Sequence, residues 1–153
     1  MRSRLSYVLP IALAAAFVFS KKAAAIFPWL DARLWLDNWI GVGIEYAGVA
    51  FALWARAHLG RLWSGTITLK EGHRLVTSGP FALARHPIYT GAIVGALGVA
   101  IATGYVKAIL AFVLLAAGFS LKLSKEDALL AAQFGDEHRA YRERVARLIP
   151  FVW

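Results

Sequence analysis

Two short strings and one isolated carboxylate carry the residue types and spacings that could do chemistry. The first string is Arg85-His86-Pro87-Ile88-Tyr89-Thr90-Gly91. Pro87 suits the first turn of a helix, where its missing N–H costs nothing. Arg85 and His86 then stand just before a helix N-terminus, beside orphan N–H donors and the positive end of the dipole, which predicts an anion site. The second string, Lys122-Leu123-Ser124-Lys125-Glu126-Asp127, puts Lys122 and Glu126 one turn apart on one helix face. Taken alone, that pair reads equally as a solvated helix face, and Arg85 and Lys122 as ordinary juxtamembrane cations. Glu45 is the third feature, because an ionisable group inside an apolar stretch is expensive and usually faces protein or water. It either reaches the outer surface and Arg33, or faces the bundle interior and shapes the pocket for a substrate's polar head.

These residues must be positioned by elements that belong in lipid. The 153 residues are 59% hydrophobic and 17% charged, which displaces the balance well away from a water-soluble globule. Disorder and a disulfide scaffold are excluded by the apolar, aromatic-rich composition and by the absence of cysteine. Four apolar stretches cover residues 5–19, 39–59, 88–102 and 105–121. The first is short for a span, carries Pro10, and must let Lys21 and Lys22 snorkel or sit in a thinned bilayer. Those two lysines, lying before Ala23-Ala24-Ala25, argue against a cleaved signal peptide. Thr103-Gly104 divides the last two stretches, which predicts a tight helical hairpin.

The formal charge of +8 is compatible with nucleic acid or with an anionic membrane surface. Placing the charges favours the membrane. Most of the basic residues lie in the segment between the second and third stretches or after the fourth, whereas the Thr103 turn offers only Lys107. The positive-inside rule therefore puts the N-terminus, residues 60–87 and the tail in the cytoplasm. Within residues 60–87, strand-like residues flank Lys70-Glu71-Gly72-His73, which predicts a small interfacial hairpin. In the tail, Gly135 is expected to cap one helix and Asp136 to start another, with His138, Tyr141, Val145 and Leu148 on its packed face and Pro150 at its end. The domain reading is a single membrane domain: residues 5–59 an N-terminal pair, 60–87 a cytosolic loop, 88–121 a hairpin and 122–153 a helical tail.

With these strings in view, the chain resembles the isoprenylcysteine carboxyl methyltransferase and phospholipid methyltransferase group. The resemblance rests on Leu75-Val76-Thr77-Ser78-Gly79-Pro80-Phe81, then Arg85-His86-Pro87-Ile88-Tyr89-Thr90-Gly91, a hydrophobic hairpin, Lys122 with Glu126-Asp127, and Phe134-Gly135, Tyr141 and Leu148-Ile149-Pro150. It runs in order over residues 58–153. What it implies is an all-α integral membrane protein of about four transmembrane helices, with a β-hairpin-like cytosolic loop and a C-terminal interfacial helix. The implied activity is methyl transfer from S-adenosyl-L-methionine to a lipophilic acceptor entering from the bilayer, foremost an isoprenylcysteine-type carboxylate. The implied cofactor residues are Leu75, Val76, Gly79, Arg85, His86, Pro87, Tyr89, Glu126 and Asp127, with Arg85 and Glu126 as candidates for the chemistry; Glu45, outside the resemblance, joins them as a candidate from its place in an apolar stretch. Physical matching agrees: a carboxylate wants cations, an ammonium wants a carboxylate, and an adenine wants an aromatic wall.

Two departures stand out. Phe81 and Ala82 follow Gly79-Pro80 where the family commonly has tyrosine and a basic residue, and the acidic pair is Glu-Asp instead of Glu-Glu. Asp127, shorter by a methylene, must make closer or water-bridged contacts. An amine acceptor, as in phospholipid N-methylation, is the alternative chemistry and would need a proton acceptor. A non-catalytic basic membrane protein and a membrane reductase are the rivals from other classes. Nucleic acid is not expected as a partner, and His58, His73 and His138 share no metal-ligand spacing, so no metal is expected.

Overall fold

The computed structural model describes residues 16, 19–34, 38–60 and 75–149. The expected first span falls almost wholly outside these residues, as do residues 66–74 of the expected hairpin and the terminal Pro150. Four helices are described: α1 (Lys21–Ile26), α2 (Asn38–Leu59), α3 (Pro87–Thr103) and α4 (Val106–Arg144). Among the described residues the chain is otherwise turns, two 3₁₀ segments and one isolated bridge between Arg33 and Tyr105.

Two helices, α2 and α4, are long and apolar enough to cross a membrane, and α3 is a shorter apolar helix. At 1.5 Å per residue the 22 residues of α2 reach about 33 Å, enough for the hydrocarbon core. The 17 residues of α3 reach about 26 Å and need local thinning or flanking turns to span it. Large apolar side chains point outward: Trp39 is 83% exposed, Leu53 63% and Val113 52%. Such a surface suits lipid, where apolar side chains need no partner.

Small residues hold α2 against α3. Their antiparallel register sets Gly41 opposite Ala102, the Glu45 backbone opposite Gly98, Gly48 opposite Gly95 and Ala52 opposite Gly91. In a bilayer burial of apolar surface does not drive helices together, so close backbone approach and its dispersion contacts must do so. Gly104 ends α3 in the left-handed conformation, with its N–H on the Ala100 carbonyl, as a helix C-terminus demands. The segment before α2 closes over that turn, through Leu34 N–H to the Gly104 carbonyl, Val106 N–H to the Ala32 carbonyl, and a Lys107–Asp31 ion pair.

At the opposite end of α3 the tail folds back. Gly135 breaks α4 with φ 48° and ψ −118°, so the helix turns where sequence expects one cap and a new start. Beyond it, His138 and Tyr141 are buried, and Tyr141 donates its hydroxyl to the Phe81 carbonyl at 2.5 Å. Residues 145–149 then run beside the start of α3. Arg85 N–H donates to the Ala146 carbonyl at 2.8 Å, His86 N–H to the Arg147 carbonyl at 3.1 Å, and the Thr90 hydroxyl to the Leu148 carbonyl at 2.7 Å.

Candidate active site

The tail and the two strings meet in one cluster. Pro87 occupies the first turn of α3, as its residue type predicts, and His86 is the residue before it. The backbone N–H groups of Arg85 and His86 are not left for an anion, however, because the tail carbonyls take them.

Glu126 and Asp127 are neighbours on α4, about 100° apart around the helix. That angle sends them to different partners. Tyr89 donates its hydroxyl to Glu126 Oε2 at 3.2 Å, and the Tyr89 ring lies against Phe119, with Lys122 Nζ 4.8 Å from its centroid. Asp127 Oδ1 instead accepts from Arg85 Nη1 at 3.1 Å and from His86 Nε2 at 2.9 Å. Its other oxygen faces Arg147 Nε at 3.1 Å, a charge contact without hydrogen-bond alignment. Arg85 Nε is also used, donating to the Val145 carbonyl at 3.1 Å. Nη2 is the edge of Arg85 left without a partner among the described residues. Arg85, Asp127, Arg142, Arg144 and Arg147 line an open depression of about 420 Å³.

Electrostatics follow from this packing. Burial alone would raise the Asp127 carboxyl, but the His86 hydrogen bond and the Arg85 and Arg147 guanidiniums outweigh it and hold Asp127 below 3.8. Asp127 is therefore ionised at neutral pH and accepts only, so His86 carries its proton on Nε2. His138 is pushed below 6.5 by burial, which its 3.8 Å approach to Asp127 only partly opposes. The unfolded chain thus binds a proton at this histidine that the folded chain resists. Stability should fall as pH drops below 6.5, and again below 3.8 as Asp127 is protonated. We expect the melting temperature of the detergent-solubilised protein to drop as the pH is lowered through and below 6.5, and His138→Gln to flatten that slope. An unchanged slope in the variant would remove His138 from this role.

Gly79 has φ +60°, and a Cβ there would lie 2.7 Å from the His58 ring. His58 hydrogen-bonds Ser78 at 3.0 Å and stacks on Phe81 with centroids 6.4 Å apart. Phe81 is buried, so the family's usual hydroxyl at that position has no role in this packing. Leu75 and Val76 are half-buried on the same loop. Neither His58, weighed in the sequence only as a metal ligand, nor Arg147 is marked there for this cluster; the one signal for His58 is its place in the last turn of α2, next to a loop that needs glycine. Glu45 is not brought to the cluster. It packs at the level of Gly98, 11 residues beyond Pro87 and so about 16 Å along α3.

The family model for the isoprenylcysteine carboxyl methyltransferase (ICMT) family matches residues 41–132. The chain is 35% identical over 101 residues to protein-S-isoprenylcysteine O-methyltransferase of Schizosaccharomyces pombe, covering 64% of this chain and 43% of that protein. It is 29% identical over 149 residues to a probable protein-S-isoprenylcysteine O-methyltransferase of Oryza sativa subsp. indica, covering 95% and 76%. The solved structure of the eukaryotic intramembrane Ras methyltransferase ICMT superposes with a TM-score of 0.72 at 24% identity, over 95% of this chain and 52% of that one. The chain thus spans about half the length of the yeast protein and of the solved structure.

Proposed function

The chain belongs to the isoprenylcysteine carboxyl methyltransferase family, and from that premise we propose that it is a multi-pass membrane methyltransferase. It transfers a methyl group from S-adenosyl-L-methionine to an isoprenylcysteine-type carboxylate. The single observation that carries the reading is the divided acidic pair. Asp127 is saturated by cations, whereas Glu126 has one tyrosine donor and lone pairs to spare.

The residues present fit the cofactor. Arg85, through Nη2, would meet its carboxylate, helped by the guanidiniums around the depression. Glu126 would accept from its ammonium, and Tyr89 with the loop of Leu75, Val76 and Gly79 would wall the remainder. When bound, S-adenosyl-L-methionine supplies a methyl on an already activated sulfonium. The protein's own work is then alignment and exclusion of water. A carboxylate acceptor is ionised at neutral pH and needs no general base, only a cation to orient it. Lys122, with its ammonium over the Tyr89 ring, stands one turn from Glu126 for that task. Glu45, far along the α2–α3 seam, belongs to the acceptor's route through the bundle and not to the reaction centre. The four-span topology, the loop and tail on the cytosolic side and a soluble cofactor entering there complete the proposal.

The test is methyl transfer from labelled cofactor to a panel of prenylcysteine, phosphatidylethanolamine and small amine acceptors. We expect label in the prenylcysteine fraction and saturable binding of S-adenosylhomocysteine. Label in the lipid amine alone would move the chain to N-methylation, and no binding at all would refute the proposal.

A further inference from the structure

We propose that Asp127 is a positioning residue, which aims the Arg85 guanidinium at the cofactor without touching the cofactor itself. This rests on the reading above, in which Arg85 and Glu126 hold S-adenosyl-L-methionine. Asp127 has an unusual set of neighbours: Arg85 and His86 from the start of α3, Arg147 from the returning tail, and His138 from the helix after Gly135. Its side chain is 14% exposed and that of Arg85 is 9%. A carboxylate already facing two guanidiniums and an imidazole has little capacity left for a ligand's ammonium. Its contacts at 2.9–3.1 Å are direct, so the shorter aspartate is met by long partners without bridging water.

The geometry gives this placement a purpose. Asp127 and the Val145 carbonyl fix two edges of the Arg85 guanidinium, at Nη1 and Nε. A planar fork pinned at two nitrogens has its third edge oriented in advance, which lowers the ordering cost of meeting a carboxylate. Arg147 shares the same aspartate, so the returning tail and the start of α3 meet on one carboxylate. The acidic pair is thus one aiming group and one ligand, not two equivalent ligands.

A double-mutant cycle on the full chain in detergent, read as S-adenosylhomocysteine affinity by calorimetry, tests this. Asp127→Asn should weaken binding about tenfold and Arg85→Gln about tenfold or more, while the double variant should be within about twofold of Arg85→Gln. Losses of Asp127→Asn and Glu126→Gln should instead multiply, because those two side chains act separately. Multiplying losses for Asp127 and Arg85 would make Asp127 a direct ligand and overturn the inference, as would wild-type affinity in Asp127→Asn. A purely structural role would lower the number of binding sites and leave the affinity of the remainder unchanged, and that outcome also overturns it. If Asp127→Asn does not fold, Asp127→Glu carries the cycle, and any loss that persists in the Arg85→Gln background counts against the proposal. Absence of binding by the wild type strikes the proposed function itself and is recognised before any variant is compared.

Discussion

Replacing Gly48 by alanine should leave the detergent-purified protein without a stable α2–α3 pair, while the same change at Gly43, on the same helix, should be tolerated. A Cβ on Gly48 would lie 2.7 Å from the Gly91 carbonyl oxygen, 2.8 Å from Gly95 Cα and closer still to the Gly95 nitrogen. None of these is the end of a flexible side chain. The clash is relieved only by separating two backbones, which forfeits the neighbouring approaches at Gly41–Ala102, Glu45–Gly98 and Ala52–Gly91. Overpacking that side chains can absorb costs about 1–3 kcal/mol, and displacing a helix should exceed that range. At Gly43 a Cβ meets nothing within 4 Å, and alanine gains roughly 0.5–1 kcal/mol of helix propensity over glycine. Opposite shifts in melting temperature are therefore expected from one substitution type. Equal shifts would mean that the glycines do not set the distance between the helices.

This contrast shows what was legible in the sequence and what was not. The ends of α3 follow from residue types: Pro87 can only begin a helix cheaply, and Gly104 accepts the left-handed conformation that ends it. The break at Gly135 was legible for the same reason. Which glycines face a backbone was not, since Gly43 and Gly48 look alike until α3 is laid in register. Of the site, the meeting of Arg85, His86 and Tyr89 with the acidic pair is implied by the family resemblance and not by either string alone, and the helical angle between Glu126 and Asp127 separates their directions. Their assignment needs the tail. Arg147 and His138 reach Asp127 only because the chain turns at Gly135 and returns along Arg85, and no local pattern encodes partners 20 and 11 residues away. The N–H groups of Arg85 and His86, just before the helix, are likewise taken by the returning carbonyls of Ala146 and Arg147, a pairing that no local pattern announces.

The largest functional loss is expected at Glu126. In the proposed site its carboxylate is the sole acceptor for the cofactor's ammonium, since Asp127 is held by Arg85, His86 and Arg147. Glu126→Gln keeps the size and the contact with Tyr89 but removes the charge. Leaving a partly desolvated cation without its counter-charge costs about 2–5 kcal/mol, and at this half-buried position the lower end applies, which corresponds to about 30- to 100-fold. The loss should appear as a raised KM for S-adenosyl-L-methionine, with kcat at saturation changed far less, because the ammonium keeps its charge as the methyl moves. Tyr89→Phe removes the 3.2 Å hydrogen bond to Oε2 and should raise KM by less than about tenfold. The ordering also separates the two readings of the acidic string. A solvated helix face that merely pairs with Lys122 contributes a few tenths of a kcal/mol, so Glu126→Gln would then change neither KM nor kcat beyond about twofold.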